Sequence, residues 1–194
     1  MRLLHIFSRK LRGRTLRLRA IEGSAAADSA AQMLCAPSAL MQLSPDEART
    51  VVTYMRPHRV AEGVTFIREG DTQDTGFMML VLHGEVTVES IVVSRTQPIT
   101  VTVLGPGSLI GEMGLLDGEP RSASCTAMSA LRCAILTRDA LSQLLRDDPQ
   151  TAAKLMMAIS LRIAERMRDS AEKLKMYAQL TQAMNEEINA LMPL

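Results

Sequence analysis

Between Pro149 and Pro193 the chain contains neither glycine nor proline, an interval that a helix can cross without a break. Asp148 and Pro149 together make a helix start. At 1.5 Å per residue such a helix extends roughly 60 Å, farther than a small domain can cover. Small and apolar residues recur along it at alternating spacings of three and four: Ala153, Met156, Ser160, Ile163, Met167, Ser170, Leu174, Tyr177, Thr181, Met184, Ile188 and Leu191. That is the pattern of a coiled-coil seam. In the first half Leu155, Met157 and Ile159 widen the apolar surface enough for packing on the helix's own domain. Residues 170–191 outrun any such domain, so the spacing predicts a homodimer through residues 149–192.

Ahead of this helix the texture reverses. Nine of the eleven glycines fall between Gly63 and Gly118, among β-branched residues and short alternations. Candidate strands are Arg59–Val60, Thr65–Arg68, Phe77–Leu82, Glu85–Val92, Ile99–Leu104, Ser108–Ile110, Ser122–Ala127 and Leu131–Leu136. Eight short strands separated by turns predict a sandwich or barrel rather than a parallel sheet. Helices flank them. Asp28–Gln42 is rich in Ala, Leu and Met but must break at Pro37. Ser44-Pro45-Asp46-Glu47 has a capping residue, a first-turn proline and a capping-box acid, and opens a helix to about Met55. Thr137–Leu145 returns to helix before the long one begins.

A chain of 194 residues holds one domain plus an appendage, large enough to need no disulfide or metal staple. Its near balance of 22 Lys+Arg against 21 Asp+Glu hides a split. Residues 1–20 carry seven basic residues and no acid, which leaves fifteen basic against twenty-one acidic residues for the rest. The reading is a basic tail and linker over 1–27, a sensor-sized body over 28–148 and the helix over 149–192. The head lacks the apolar stretch and cleavage site of a signal peptide. A solvated tail, a helix on an acidic membrane surface, a partner-binding segment, a transit peptide and a misplaced start all fit it. A net charge of +1, no Trp and five other aromatics in the whole chain argue against a dedicated nucleic-acid binder. Cys35, Cys125 and Cys133 form no metal-ligand spacing with His5, His58 and His83, and read as reduced thiols of a cytoplasmic protein. No catalytic grouping of Ser, His and Asp stands out, and the expectation is a protein without enzymatic activity or metal.

The densest chemistry lies in Gly105–Ala127. Gly111 and Gly114 allow backbone N–H groups to approach a ligand as an anion nest. Arg121 offers a planar, permanently charged fork suited to phosphate oxygens, and Glu112 an acceptor for hydroxyls. A phosphate ligand bearing sugar hydroxyls would use all three. The competing reading is that Glu112 and Arg121 pair across a loop whose glycines only serve its turns.

The string Gly111-Glu-Met-Gly-Leu-Leu followed by Pro120-Arg-Ser-Ala resembles the phosphate-binding cassette of the cyclic nucleotide-binding domain family. Bacterial catabolite activators, protein kinase A regulatory subunits and nucleotide-gated channels share that fold. Glu69-Gly70-Asp71 and Phe77-Met-Met-Leu-Val-Leu-His-Gly-Glu-Val-Thr-Val88 resemble the family's early hairpin, so the likeness covers about residues 40–170. It implies a mainly β fold with flanking helices: an eight-stranded antiparallel, jelly-roll-like β-roll followed by a long C-terminal dimerisation helix. It also implies a cyclic nucleotide ligand, cAMP first, with cGMP or a cyclic dinucleotide as alternatives. Arg121 would pair the cyclic phosphate and Glu112 the ribose 2′-hydroxyl. Gly111, Met113, Ser122 and Ala123 would complete the cradle, and Val101 and Val103 would line the base. Where bacterial activators carry a Thr-Ser pair that reads adenine, this chain has Arg166-Met167. Those activators also continue into a helix-turn-helix, whereas this sequence stops at Leu194, so the expected output is through protein contacts with an effector of unknown identity. A second reading is an adaptor with a vestigial pocket, acting through its dimer helix and basic tail, and a third is the sensor half of a DNA-binding regulator completed by a partner chain.

Overall fold

The computed structural model describes residues 25–36, 40, 42–90 and 99–191. The helix expected over Asp28–Gln42 is observed as α1 (Ala25–Leu34); Pro37, where a break was expected, lies outside the described residues, as does the basic head. Helix α2 (Pro45–Thr53) starts on the expected capping box. The Glu47 amide donates to Ser44 Oγ at 3.3 Å and the Ser44 amide to Glu47 Oε2 at 2.9 Å. Glu47 also pairs with Lys154 of the long helix, and these hydrogen bonds, Lys154's first, hold its carboxyl below the ordinary value.

Among the described residues eight strands follow: β1 (Arg56–Val60), β2 (Thr65–Ile67), β3 (Phe77–His83), β4 (Val86–Ser90), β5 (Ile99–Leu104), β6 (Leu109–Ile110), β7 (Ser124–Ala127) and β8 (Leu131–Thr137). They form two four-stranded antiparallel sheets, ordered β1-β8-β3-β6 and β2-β7-β4-β5. This is the antiparallel roll implied by the resemblance. β1 starts earlier than its sequence suggests because it pairs along β8 from Arg56↔Ile135 to Val60↔Leu131. It lies at a sheet edge, where Pro57, lacking an N–H, is tolerated. Between β3 and β4 Gly84 has φ +92, and a Cβ there would lie 2.7 Å from Leu131 Cδ2 and 2.8 Å from the Ala130 carbonyl. Glycine is required at that turn.

The uninterrupted apolar run of β3 is explained by burial on both faces. Met78 and Leu80 join the helices' core with Ala134 and Leu136, while Met79 and Val81 enter the roll interior with Val86, Val88, Cys133 and Ile135. Burial pushes the interior thiols up, Cys125 to about 12 and Cys133 to about 11.

Two helices close the described chain. Thr137 caps α4 (Arg138–Asp147), accepting from the Ala140 amide at 3.2 Å. Asp148, at φ −143 and ψ 80, breaks the path, and its Oδ1 accepts from the Thr151 amide at 3.0 Å to restart it as α5 (Pro149–Leu191). Ala152, Leu155, Ala158 and Ile159 are buried against the core and Ile163 half-buried. From Glu165 to Ile188 every residue is exposed. The seam residues Met156, Met167, Leu174, Tyr177, Met184 and Ile188 face outward, Leu174 at 70% exposure. Met157, expected to widen the packed face, is exposed as well. Among the described residues no helix is long and apolar enough to cross a membrane.

Candidate functional site

β6 ends at Ile110, and Gly111, with φ +79, turns the chain into a one-turn helix, α3 (Glu112–Leu116). The sequence reading treated this stretch as loop; five residues are too few for helical periodicity to show. The chain then returns through Pro120 to Arg121, pinned where the Arg121 amide donates to Asp71 O at 3.0 Å and the Gly70 amide to Arg121 O at 2.8 Å.

Arg121 is 7% exposed. Its Nη1 donates to the Gly111 carbonyl at 3.0 Å, and its Nη2 donates to those of Asp74 and Phe77, each at 3.2 Å. The guanidinium lies 4.4 Å from the centroid of the Phe77 ring, a cation–π distance. Asp74 presents its carbonyl from a left-handed conformation, φ 55. Burial pushes the Arg121 pKa down from its ordinary value. The glycines of the motif acquire a definite reason here. A Cβ on Gly111 or on Gly114 would lie 2.7 Å from Arg121 Nη1, and one on Gly114 also 2.7 Å from the Thr75 carbonyl. Both leave room for the guanidinium.

Glu112 is 2% exposed, and its carboxylate pairs with Arg166, a full 54 positions along the chain on α5. The competing expectation, a Glu112–Arg121 pair across the loop, is not what forms. A second arginine holds the other end of α3: Arg138, the first residue of α4, donates from Nη2 to Gly114 O at 2.8 Å and from Nε to Leu115 O at 3.1 Å. Its guanidinium fills the space beside Gly118, where a Cβ would meet it at 2.9 Å.

These groups enclose a cavity of about 130 Å³. Ile67, Val88, Leu104, Leu109 and Ile110 make its apolar walls, and Cys125 contributes to the lining. Gly111, Glu112, Met113, Arg121, Ser122, Ala123 and Arg166, all singled out in the sequence, line it together. Val103 does not. The β4–β5 register pairs Val86 with Leu104 and Thr87 with Val103, so Leu104 shares the inward face of Val86 while Val103 points outward, 50% exposed. Val101 lies where that register shifts, and its side chain is outside the described ones. Sequence reasoning missed Ile67, Val88 and Leu104. The alternation of Val86 and Val88 signalled the inward face of β4, but the pairing was needed to carry that parity to β5. Among the described residues no group of three or more His, Cys, Asp or Glu is placed to hold a metal ion.

The two-sheet antiparallel roll thus holds a cavity between an arginine, a short helix and the base of a long one. The family model of the cyclic nucleotide-binding domain matches residues 57–148, the segment that holds the cassette and the roll. The chain is 31% identical over 123 residues to the cyclic AMP receptor protein of Thermus thermophilus, covering 63% of this chain and 56% of that one. It is 23% identical over 121 residues to a CRP-like cAMP-activated global transcriptional regulator of Mycobacterium tuberculosis, covering 62% and 53%. Among solved structures, a cyclic nucleotide-binding domain from Methylobacillus flagellatus KT superposes with a TM-score of 0.65 at 29% identity, over 76% of this chain and 81% of that one. The chain spans about half the length of the curated relatives it matches.

Proposed function

We propose that this chain is a non-enzymatic, cytoplasmic cyclic nucleotide sensor that signals through protein contacts rather than DNA, with cAMP as the favoured ligand. The observation that carries this reading is the convergence of Arg121, Glu112, Gly111 and Ser122 on one apolar-walled cavity. Arginine has five N–H donors, and the three carbonyl bonds leave one on Nε and one on Nη1 for phosphate oxygens. Glu112 serves a ribose hydroxyl; the backbone near Gly111, Met113, Ser122 and Ala123 completes the cradle. cAMP comes from the names of the relatives, with cGMP and a cyclic dinucleotide next.

Residues 28–148 act as the sensor and 149–192 as the output and homodimer helix, whose exposed seam supports that role. The acidic body speaks for a protein effector over DNA. Residues 1–20 serve an acidic membrane surface or a partner, and the linker expected to run to residue 27 gives way at Ala25 to α1.

One observation favours the second reading, an adaptor with a vestigial pocket: both defining side chains already hold internal partners, Arg121 three carbonyls and Glu112 the Arg166 guanidinium. A thermal-shift panel of cAMP, cGMP and cyclic dinucleotides separates the two. A ligand at 100 times its Kd adds about 2.7 kcal/mol, roughly 5–10 °C for a chain of this size. No shift with any of them favours the adaptor. Arg121→Ala should weaken binding about 10- to 150-fold by calorimetry, the worth of a charge-assisted contact; unchanged affinity would remove Arg121 from the site.

A further inference from the structure

Glu112 and Arg166 form an unequal pair. The Glu112 side chain is 3% exposed and that of Arg166 45%. A buried carboxylate without a partner is costly, so something must answer it. The answer comes from α5, whose Arg166 Nη1 donates to Glu112 Oε1. Among the described residues Arg166 is also the last position of α5 with a hydrogen bond or ion pair to the roll; the later side-chain hydrogen bonds run within the helix. Apolar burial of α5 has ended by then, at Ile163. This one ion pair therefore links the wall of the cavity to the point where the long helix leaves the body.

We propose that Arg166 is the chain's own occupant of the Glu112 end of the cavity and the residue that sets both ligand threshold and output. A guanidinium has donors and no acceptors, so it takes the role of a ligand hydroxyl on the same carboxylate. A ligand gains Glu112 only by bringing hydrogen-bond donors of its own, which selects a ribose over a deoxyribose. Displacing Arg166 removes the last polar tether of α5, so the segment beyond Ile163 is freed as the cavity fills. Ligand and helix then exclude one another at a single carboxylate, which supplies the differential affinity that any ligand-driven shift requires. The inference rests on the nucleotide reading of the cavity, and its test separates the two.

Two measurements on Arg166→Ala and Glu112→Gln decide it, with circular dichroism checking that each variant folds. The first needs no ligand: hydrogen exchange of peptides spanning residues 160–170 should quicken in both variants relative to wild type, and unchanged exchange overturns the tether. The second is calorimetry with cAMP, cGMP and 2′-deoxy-cAMP. Arg166→Ala, relieved of the competitor, should bind the ribonucleotide about tenfold more tightly. Weaker binding would make Arg166 a ligand contact and overturn the proposal while leaving the nucleotide reading intact. If neither wild type nor Arg166→Ala binds any cyclic nucleotide, the reading and the competition fall together.

Discussion

At the scale of single residues the cassette is a set of fits around two guanidiniums. Gly111 and Gly114 matter for the volume they leave to Arg121, and Gly118 for the volume it leaves to Arg138. The contrast with Gly105 is testable, since a Cβ there meets nothing within 4 Å. Gly114→Ala drives a methyl against a guanidinium and a backbone carbonyl and should cost about 1–3 kcal/mol in urea unfolding, with weaker ligand binding. Gly105→Ala should stay within about 0.5 kcal/mol of wild type. Equal effects at the two positions would refute the packing account. The importance of Gly111, Gly114 and Arg121 was legible because they lie close together in a distinctive order. Their purpose was not, because the carbonyls of Asp74, Thr75 and Phe77 are main-chain atoms that no side-chain type announces.

At the scale of elements α3 is held between neighbours. Arg121 grips the carbonyl before it, and Arg138 grips its last carbonyls from the first turn of α4. Two further polar clips join the front helix to the back ones: Tyr54 Oη donates to Asp147 Oδ2 at 2.9 Å, and Lys154 pairs with Glu47. Arg138 thus ties the cassette helix directly to the first turn of α4. Arg138→Ala should lower stability by about 1–2 kcal/mol and speed hydrogen exchange in both 112–118 and 138–147. Arg138→Lys should not restore either, because one ammonium does not reproduce a fork across two carbonyls. Exchange confined to one of those segments would break the link. The capping box at Ser44 and the restart at Asp148 were readable in advance, since caps act within four residues. The start of β1 and the inward parity of β5 were not, since both depend on a partner strand.

At the scale of the whole molecule the long helix dominates. At 43 residues it extends about 65 Å, of which only the first few turns are covered by the body. Its exposed seam predicts a dimer whose population rises with protein concentration in analytical ultracentrifugation. Leu174→Glu together with Met184→Glu should shift it to monomer without altering the circular dichroism of the roll; a monomer at every concentration in the wild type would exclude the seam. By itself the sequence determined the kinds of element, the alternation of roll and helix, and the local cassette, because turn chemistry, capping and periodicity act between residues close along the chain. Tertiary structure decided the rest. It chose Leu104 over Val103 for the wall, assigned Arg121 to carbonyls, and brought Arg166 to Glu112 across 54 positions. Each of those outcomes depends on which groups burial forces together, and a buried charge accepts whatever partner the packing places beside it.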